Sequence, residues 1–349
     1  MREYQDPFME FSTVWNTETG EYGGYHIPGI AVTKSDTLLA FIEARRTKSD
    51  WAAIDILIIR STDKGKTWSA PVLILDGTTD GVTMNNPVMI VGNDGIIHLI
   101  YCCEYAIDGH DVYYRRSEDD GITWSEPKVI TYATKEEYRN AFATGPGHSI
   151  CTPDGTLIVP VWMVPKKAGA PVHSHYPSET AVLYSRDNGE TWVITESLKA
   201  EEGIDSPNEA TCAVLSDGSV LFNIRCVNAG YRAMMRSKTG YSGFSEIRLN
   251  KELICPTCHG STILYHHEGH PDTLLFVNPE SSDKRENLVI KGSLDGGVTW
   301  PIRRVITTGS ASYSDIAVDS TGRIYILYVD AEISKATLVQ FDFPVLLYR

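Results

Sequence analysis

Ser61-Thr-Asp-Lys-Gly-Lys-Thr-Trp68 decides how this chain folds, because the same eight-residue pattern returns three more times. Ser117-Glu-Asp-Asp-Gly-Ile-Thr-Trp124, Ser185-Arg-Asp-Asn-Gly-Glu-Thr-Trp192 and Ser293-Leu-Asp-Gly-Gly-Val-Thr-Trp300 all read Ser-x-Asp-x-Gly-x-Thr-Trp. Each follows an apolar alternating run, so each reads as a hairpin turn repeated in register. The Asp accepts backbone N–H groups across the turn, the Gly takes a positive φ, and the Trp anchors the returning strand. The copies start 56, 68 and 108 residues apart, and a degenerate copy, Ser237-Lys-Thr-Gly-Tyr-Ser-Gly-Phe244, falls in the long gap. That makes five units at a period near 56, with room for a sixth after residue 300. Six turn-bounded apolar runs agree, at 38–42, 96–101, 157–162, 220–224, 273–277 and 324–328, with partners such as 55–60 and 287–291. Short strands in blocks of about fifty residues predict an all-β, six-bladed β-propeller.

The repeats use nearly all of the 349 residues, which predicts one propeller domain over 1–349. No run of 18 apolar residues is present, so no membrane-spanning helix is expected. The opening Met1-Arg-Glu-Tyr-Gln-Asp-Pro7 has no apolar core and does not read as a signal peptide. Seven cysteines, including adjacent Cys102 and Cys103, do not form a disulfide framework, and a reducing, cytoplasmic location is the expectation. A net charge of −14 argues against nucleic acid and anionic membrane as partners. An anionic small substrate would therefore need a local basic pocket. Cys255-Pro-Thr-Cys258-His259 is one Cys-x-x-Cys without a second pair, and His266, His267 and His270 follow in a turn-like segment. Thiols rather than a zinc site are the expectation there. No phosphate-binding glycine loop or carboxylate metal array is present, so no cofactor and no metal is expected.

In a propeller, strand ends from different blades converge on one central pocket. Arg45 and Arg225 each follow what spacing marks as an inner strand, and Arg285 precedes the strand 287–291. Asp50 lies in Thr47-Lys-Ser-Asp-Trp51, Glu209 in Ser206-Pro-Asn-Glu-Ala210, and Tyr313 in Ser310-Ala-Ser-Tyr-Ser-Asp315. Taken singly, each has an ordinary explanation, since an arginine at a strand end is usually a solvated rim residue. Spacing alone leaves the site unassigned.

The ordered set of segments is more specific. The Asp boxes, Tyr25-His-Ile-Pro-Gly29, Ala40-Phe-Ile-Glu-Ala-Arg45, Ser49-Asp50, Gly145-Pro-Gly147, Asn208-Glu209, Asn223-Ile-Arg225, Asn278-Pro279 with Arg285, and Ala311-Ser-Tyr-Ser-Asp315 resemble bacterial exo-sialidases from about residue 20 to about residue 330. That resemblance implies a glycoside hydrolase acting on a sialo-oligosaccharide or another acidic sugar. It implies that Arg225 and Arg285 are two members of an arginine triad gripping the substrate carboxylate, a task suited to the planar guanidinium fork. Tyr313 would be the nucleophile, Glu209 its base, and Asp50 the acid that protonates the leaving oxygen. A neutral tyrosine suits a substrate with a carboxylate on its anomeric carbon, which would repel an anionic nucleophile. Arg45 would face the C4 side of the sugar, with Asn85 and Asn86 lining the rest.

One position departs from the pattern. The family's first triad arginine is His26 here, and the Glu that normally supports it corresponds to Val329, followed by Asp330. Losing both together reads as a re-shaped pocket. Three readings follow: release of sialic acid or a related keto-acid sugar such as Kdo or deaminated neuraminic acid; hydrolysis or lysis of another acidic sugar such as a terminal uronate; or non-catalytic sugar binding. Retention of Asp50, Glu209 and Tyr313 argues against the last. If a protonated His26 helps grip the carboxylate, affinity should fall as pH rises through about 6.5.

Overall fold

A computed structural model of the chain describes residues 4–75, 77, 82–106, 109–133, 141–165, 175–227 and 229–347. Six small sheets form the blades of a propeller. Blade 1 comprises Gly24–Val32, Leu38–Arg45, Ile54–Ser61 and Val72–Leu75; blade 2 comprises Met84–Val91, Ile97–Ala106, Gly109–Ser117 and Lys128–Val129. In blade 3, Ala141–Thr144 and Ile150–Cys151 both pair with Leu157–Val164, followed by Glu179–Ser185 and Val193–Ile194. Blades 4 and 5 are Pro207–Val214 to Arg248–Ile254 and Ser261–Tyr265 to Ile302–Ser310, four strands each. Blade 6 is built from Ser314–Val318, Arg323–Val329, Lys335–Asp342 and, as its fourth strand, Glu10–Asn16 from the other end of the chain. The room expected after residue 300 thus holds only three strands. The antiparallel register Glu10↔Gln340 to Asn16↔Lys335 closes the ring.

Each repeated box joins the third strand of its blade to the fourth. In the first copy the Ser61 hydroxyl accepts the Gly65 N–H at 2.8 Å, and the Asp63 carboxylate accepts the Thr67 N–H at 2.9 Å and its hydroxyl at 2.7 Å. The same bonds recur around Asp119, Asp187 and Asp295. The box glycines take φ between +77° and +94° in these four copies. A second constraint acts on them: a Cβ at Gly65 would lie 2.6 Å from Leu338, at Gly121 3.0 Å from Leu39, and at Gly189 2.3 Å from the Tyr114 hydroxyl. Every one of those neighbours belongs to the preceding blade. The box tryptophans join the same wedges, each packing on a cluster shared by its own blade and the preceding one. Trp68 packs on the cluster between blades 6 and 1, Trp124 between 1 and 2, Trp192 between 2 and 3, and Trp300 between 4 and 5. The hydrophobic core is therefore six wedges between neighbouring sheets, and each of the four boxes closes one of them with its tryptophan ring.

A buried carboxylate holds the axis. Asp315, fully inaccessible, accepts the backbone N–H of Ile30 at 2.9 Å and of His148 at 2.8 Å, the His148 Nδ1 at 2.7 Å and the Ser261 hydroxyl at 2.7 Å. Burial opposes its charge, but the His148 imidazole and these donors hold it below the usual carboxylate range. Gly147, at φ +94°, has its would-be Cβ 3.0 Å from that carboxyl group, so Gly145-Pro-Gly147 serves the axis rather than the pocket. All seven cysteines are free thiols, and no helix among the described residues is long and apolar enough to cross a membrane.

Candidate active site

Bulges in the innermost strands aim the first group of side chains. Blade 1 slips register between His26 and Gly29, blade 2 between Asn85 and Val88, and blade 4 between Pro207 and Ala210. Ile27, Asn86 and Ser206 sit at φ +52°, +52° and +49° beside these slips, and left-handed backbone at a β-branched isoleucine is a costly conformation kept at a functional mouth. Arg45 and Arg225 leave the second strand of their blades, not the innermost strand that spacing implied. Tyr313 stands immediately before the innermost strand of blade 6. All nine sequence-derived residues, His26, Arg45, Asp50, Asn85, Asn86, Glu209, Arg225, Arg285 and Tyr313, line one cavity of about 1270 Å³.

Its floor is a hydrogen-bonded core. The Tyr313 hydroxyl lies 2.7 and 2.8 Å from the two Glu209 oxygens, and Arg225 Nη1 donates to Glu209 and to the Tyr313 oxygen at 2.6 Å each. Burial raises the Tyr313 pKa well above 10, with Glu209 adding to the rise against Arg225 and Arg285. The free site therefore holds a neutral phenol. Burial would also raise the Glu209 carboxyl, but Arg225, His259 and the Tyr313 hydroxyl together hold it below its ordinary value. A neutral hydroxyl bonded to an ionised carboxylate, with one guanidinium bridging both, is an arrangement for moving the phenolic proton to Glu209 as the oxygen attacks. Arg285 lies over the tyrosine ring at 5.4 Å and donates to the Ser312 hydroxyl at 3.2 Å.

A second cluster holds the blade 1 side. Glu43 accepts Arg45 Nε at 2.9 Å and Nη2 at 2.6 Å on one oxygen, and the Asn86 N–H at 2.7 Å on the other. Arg45 Nη1 donates to Asp50 at 2.6 Å, and the Asp50 side chain stays 54% exposed, facing the cavity mouth. Burial pushes the Glu43 carboxyl up to about 7 even though Arg45 and the Asn86 amide favour its charge. Glu43 was not among the sequence candidates. It lies two residues before Arg45, on the same strand face, which is the signal that marks it.

His26 is 7% exposed, its ring centre 4.4 Å from that of Tyr313, and its Nδ1 is buried with no hydrogen-bond partner. Burial first, then Arg45, Arg285 and Arg225, lower its pKa well below 6.5. These effects disfavour a protonated imidazole while the site is free. Val329 is fully buried in the same apolar cluster as Ile27 and Tyr313. Asp330 caps a turn through Ser334 and Lys335 and does not replace the missing carboxylate.

The Cys255–His259 loop, read from sequence as isolated thiols, lies beside Tyr313. Cys258 Sγ is 3.8 Å from the Ser312 hydroxyl, the Thr257 carbonyl accepts Arg285 Nη2 at 3.4 Å, and the His259 ring sits 5.3 Å from Tyr313. Burial lowers the His259 pKa to about 4. Among the described residues no group of His, Cys, Asp or Glu is placed to hold a metal ion.

Residues 32–326 match the family described as a BNR repeat-like domain. The chain is 26% identical over 337 residues to a sialidase of Bacteroides fragilis, covering 87% of this chain and 59% of that protein. It is 29% identical over 345 residues to a sialidase of Micromonospora viridifaciens, covering 88% and 50%. The chain thus spans between half and three-fifths of the length of these two relatives. The solved structure of the Hadza microbial sialidase Hz136 is similar at a TM-score of 0.83 and 26% identity, over 96% of this chain and 69% of that one.

Proposed function

The chain belongs to the BNR repeat-like domain family, and on that premise we propose that it is an exo-acting, retaining glycoside hydrolase that releases a terminal sialic acid or a related keto-acid sugar. The observation that carries this reading is the Tyr313 hydroxyl held between both Glu209 oxygens and Arg225 at the floor of the cavity. Tyr313 attacks the anomeric carbon while its proton passes to Glu209. Asp50 gives a proton to the departing glycosidic oxygen and later takes one from the water that cleaves the glycosyl–tyrosine bond. Arg225 and Arg285 hold the substrate carboxylate, Arg45 faces the far side of the ring, and Asn85 and Asn86 complete the wall.

Neutral His26 favours a second reading, in which the substrate is another acidic sugar such as a terminal uronate, whose carboxylate is not on the anomeric carbon. Hydrolysis of an aryl α-sialoside by the chain and by Tyr313→Phe separates the two. Activity in the parent and a loss of more than about a thousandfold in Tyr313→Phe support the first. An inactive parent that cleaves aryl uronides supports the second. Cleavage that persists undiminished in Tyr313→Phe overturns the nucleophile assignment in either case.

A further inference from the structure

A cavity for one small ligand spans about 300–1,000 Å³, and this one reaches about 1270 Å³. The assigned residues other than Asp50 occupy its inner part. One wall of its lining is aromatic: Trp51, directly after Asp50, lies 5.5 Å from the His175 ring, and His175 lies 5.6 Å from the Trp162 ring. The wall is fixed to the floor. The Trp51 N–H is held by the Ser49 hydroxyl at 3.1 Å, and Asn208, next to Glu209, donates to Ser178 at 3.1 Å. The charges are layered. Arg45 is buried and Arg225, Arg285 and Glu179 are half-buried, whereas Asp50, Asp205 and Glu332 are exposed at the mouth, opposed there by Lys48.

Resting on the glycoside hydrolase reading above, we propose that the aromatic wall is the site of the leaving sugar and that it takes a neutral glycan. Asp50 must reach the glycosidic oxygen, so the leaving group departs along its side, and Trp51 is the next residue there. The apolar face of a hexose stacks on the indole, while the acidic mouth repels a second anionic sugar. The chain then removes one acidic residue from a neutral glycan and spares runs of consecutive acidic sugars.

The test compares one acidic sugar linked to lactose, linked to a second copy of itself, and as its glycosyl fluoride, which has no leaving sugar. At low salt the lactose-linked substrate is expected to exceed the acid-linked one in kcat/KM by about tenfold or more, a gap that narrows at high salt. Trp51→Ala should lower the lactose-to-fluoride ratio about tenfold, and Trp51→Phe should restore most of it. Glu179→Gln with Asp205→Asn should raise the acid-linked rate relative to the lactose-linked one. Equal losses on lactose-linked substrate and fluoride in Trp51→Ala overturn the proposal and place the departing acidic sugar on this wall. No preference between the two linked substrates overturns the charge argument. Fluoride hydrolysis that requires Tyr313 tests the underlying reading separately. If no substrate turns over, saturation-transfer NMR with free lactose still decides the subsite: transfer lost in Trp51→Ala supports it, and no transfer to the parent overturns it.

Discussion

Placing an arginine at position 26 should fail alone and succeed with a partner. Two parallel charge-assisted bonds to a substrate carboxylate contribute about 1.5–3 kcal/mol, or roughly ten- to a hundredfold in KM. Position 26 is 7% exposed and ringed by Arg45, Arg225 and Arg285, which with burial already disfavour charge on the imidazole. The family's supporting carboxylate is replaced by Val329, 0% exposed, and Asp330 is committed to its turn. An uncompensated buried charge costs about 3–5 kcal/mol, more than the substrate contact returns. His26→Arg alone should therefore melt several degrees lower and gain little in kcat/KM on an aryl α-sialoside. His26→Arg with Val329→Glu should recover stability and lower KM about ten- to a hundredfold, with a coupling of about 1–3 kcal/mol across the cycle. The assay is the four-corner double-mutant cycle, read in both kcat/KM and thermal midpoint. A single His26→Arg that melts like the parent and matches the double variant in activity would refute the reasoning.

Because burial and three arginines hold His26 neutral, KM should show the same pH dependence from 6 to 8 in the parent and in His26→Gln; a step near 6.5 present only in the parent contradicts this. Asp63, Asp119 and Asp295 are lowered to about 2, chiefly by the hydroxyls of Thr67, Thr123 and Thr299. A carboxyl lowered by folding stabilises fully above its ordinary 3.8 and loses that contribution as pH falls toward 2. The triple Asp→Asn variant should thus melt below the parent at pH 7, with the gap closing between pH 4 and 2; a gap that stays constant counts against the boxes' role. Deleting residues through Asn16 exposes the edge of Lys335–Asp342 and opens the ring. A large drop in thermal midpoint with aggregation is expected, and an unchanged melting curve would show that closure is dispensable.

The boxes were legible because a turn is a local object: serine, aspartate, glycine and threonine complete their bonds within seven residues, so spacing alone counts the blades. Glu43 was missed, although its place two residues before Arg45 on the same strand face was a signal that could have marked it. The aromatic wall was not legible, since Trp51, Trp162 and His175 come from three separate segments and share no pattern. His259 was hidden by its neighbours, because a Cys-x-x-Cys-His stretch points to thiol or metal chemistry until the fold puts it beneath Tyr313.

By itself, then, the chain's order of residues determined six repeating sheets, since strand period and turn chemistry are short-range, while the nine polar side chains were nominated only through the resemblance of ordered segments to a known family. Tertiary structure alone decided what those features do. It set each box tryptophan in the wedge between its own blade and the preceding one, because that space between two twisted sheets is where apolar area remains to be buried. It supplied the last blade's outer strand from residues 10–16, more than 300 positions away. It also set the charge states at the floor, where burial favours a neutral Tyr313 against its arginines, burial and the arginines together favour a neutral His26, and Arg225 favours an ionised Glu209. Those states depend on distances of a few ångströms between blades, and no run of sequence encodes them.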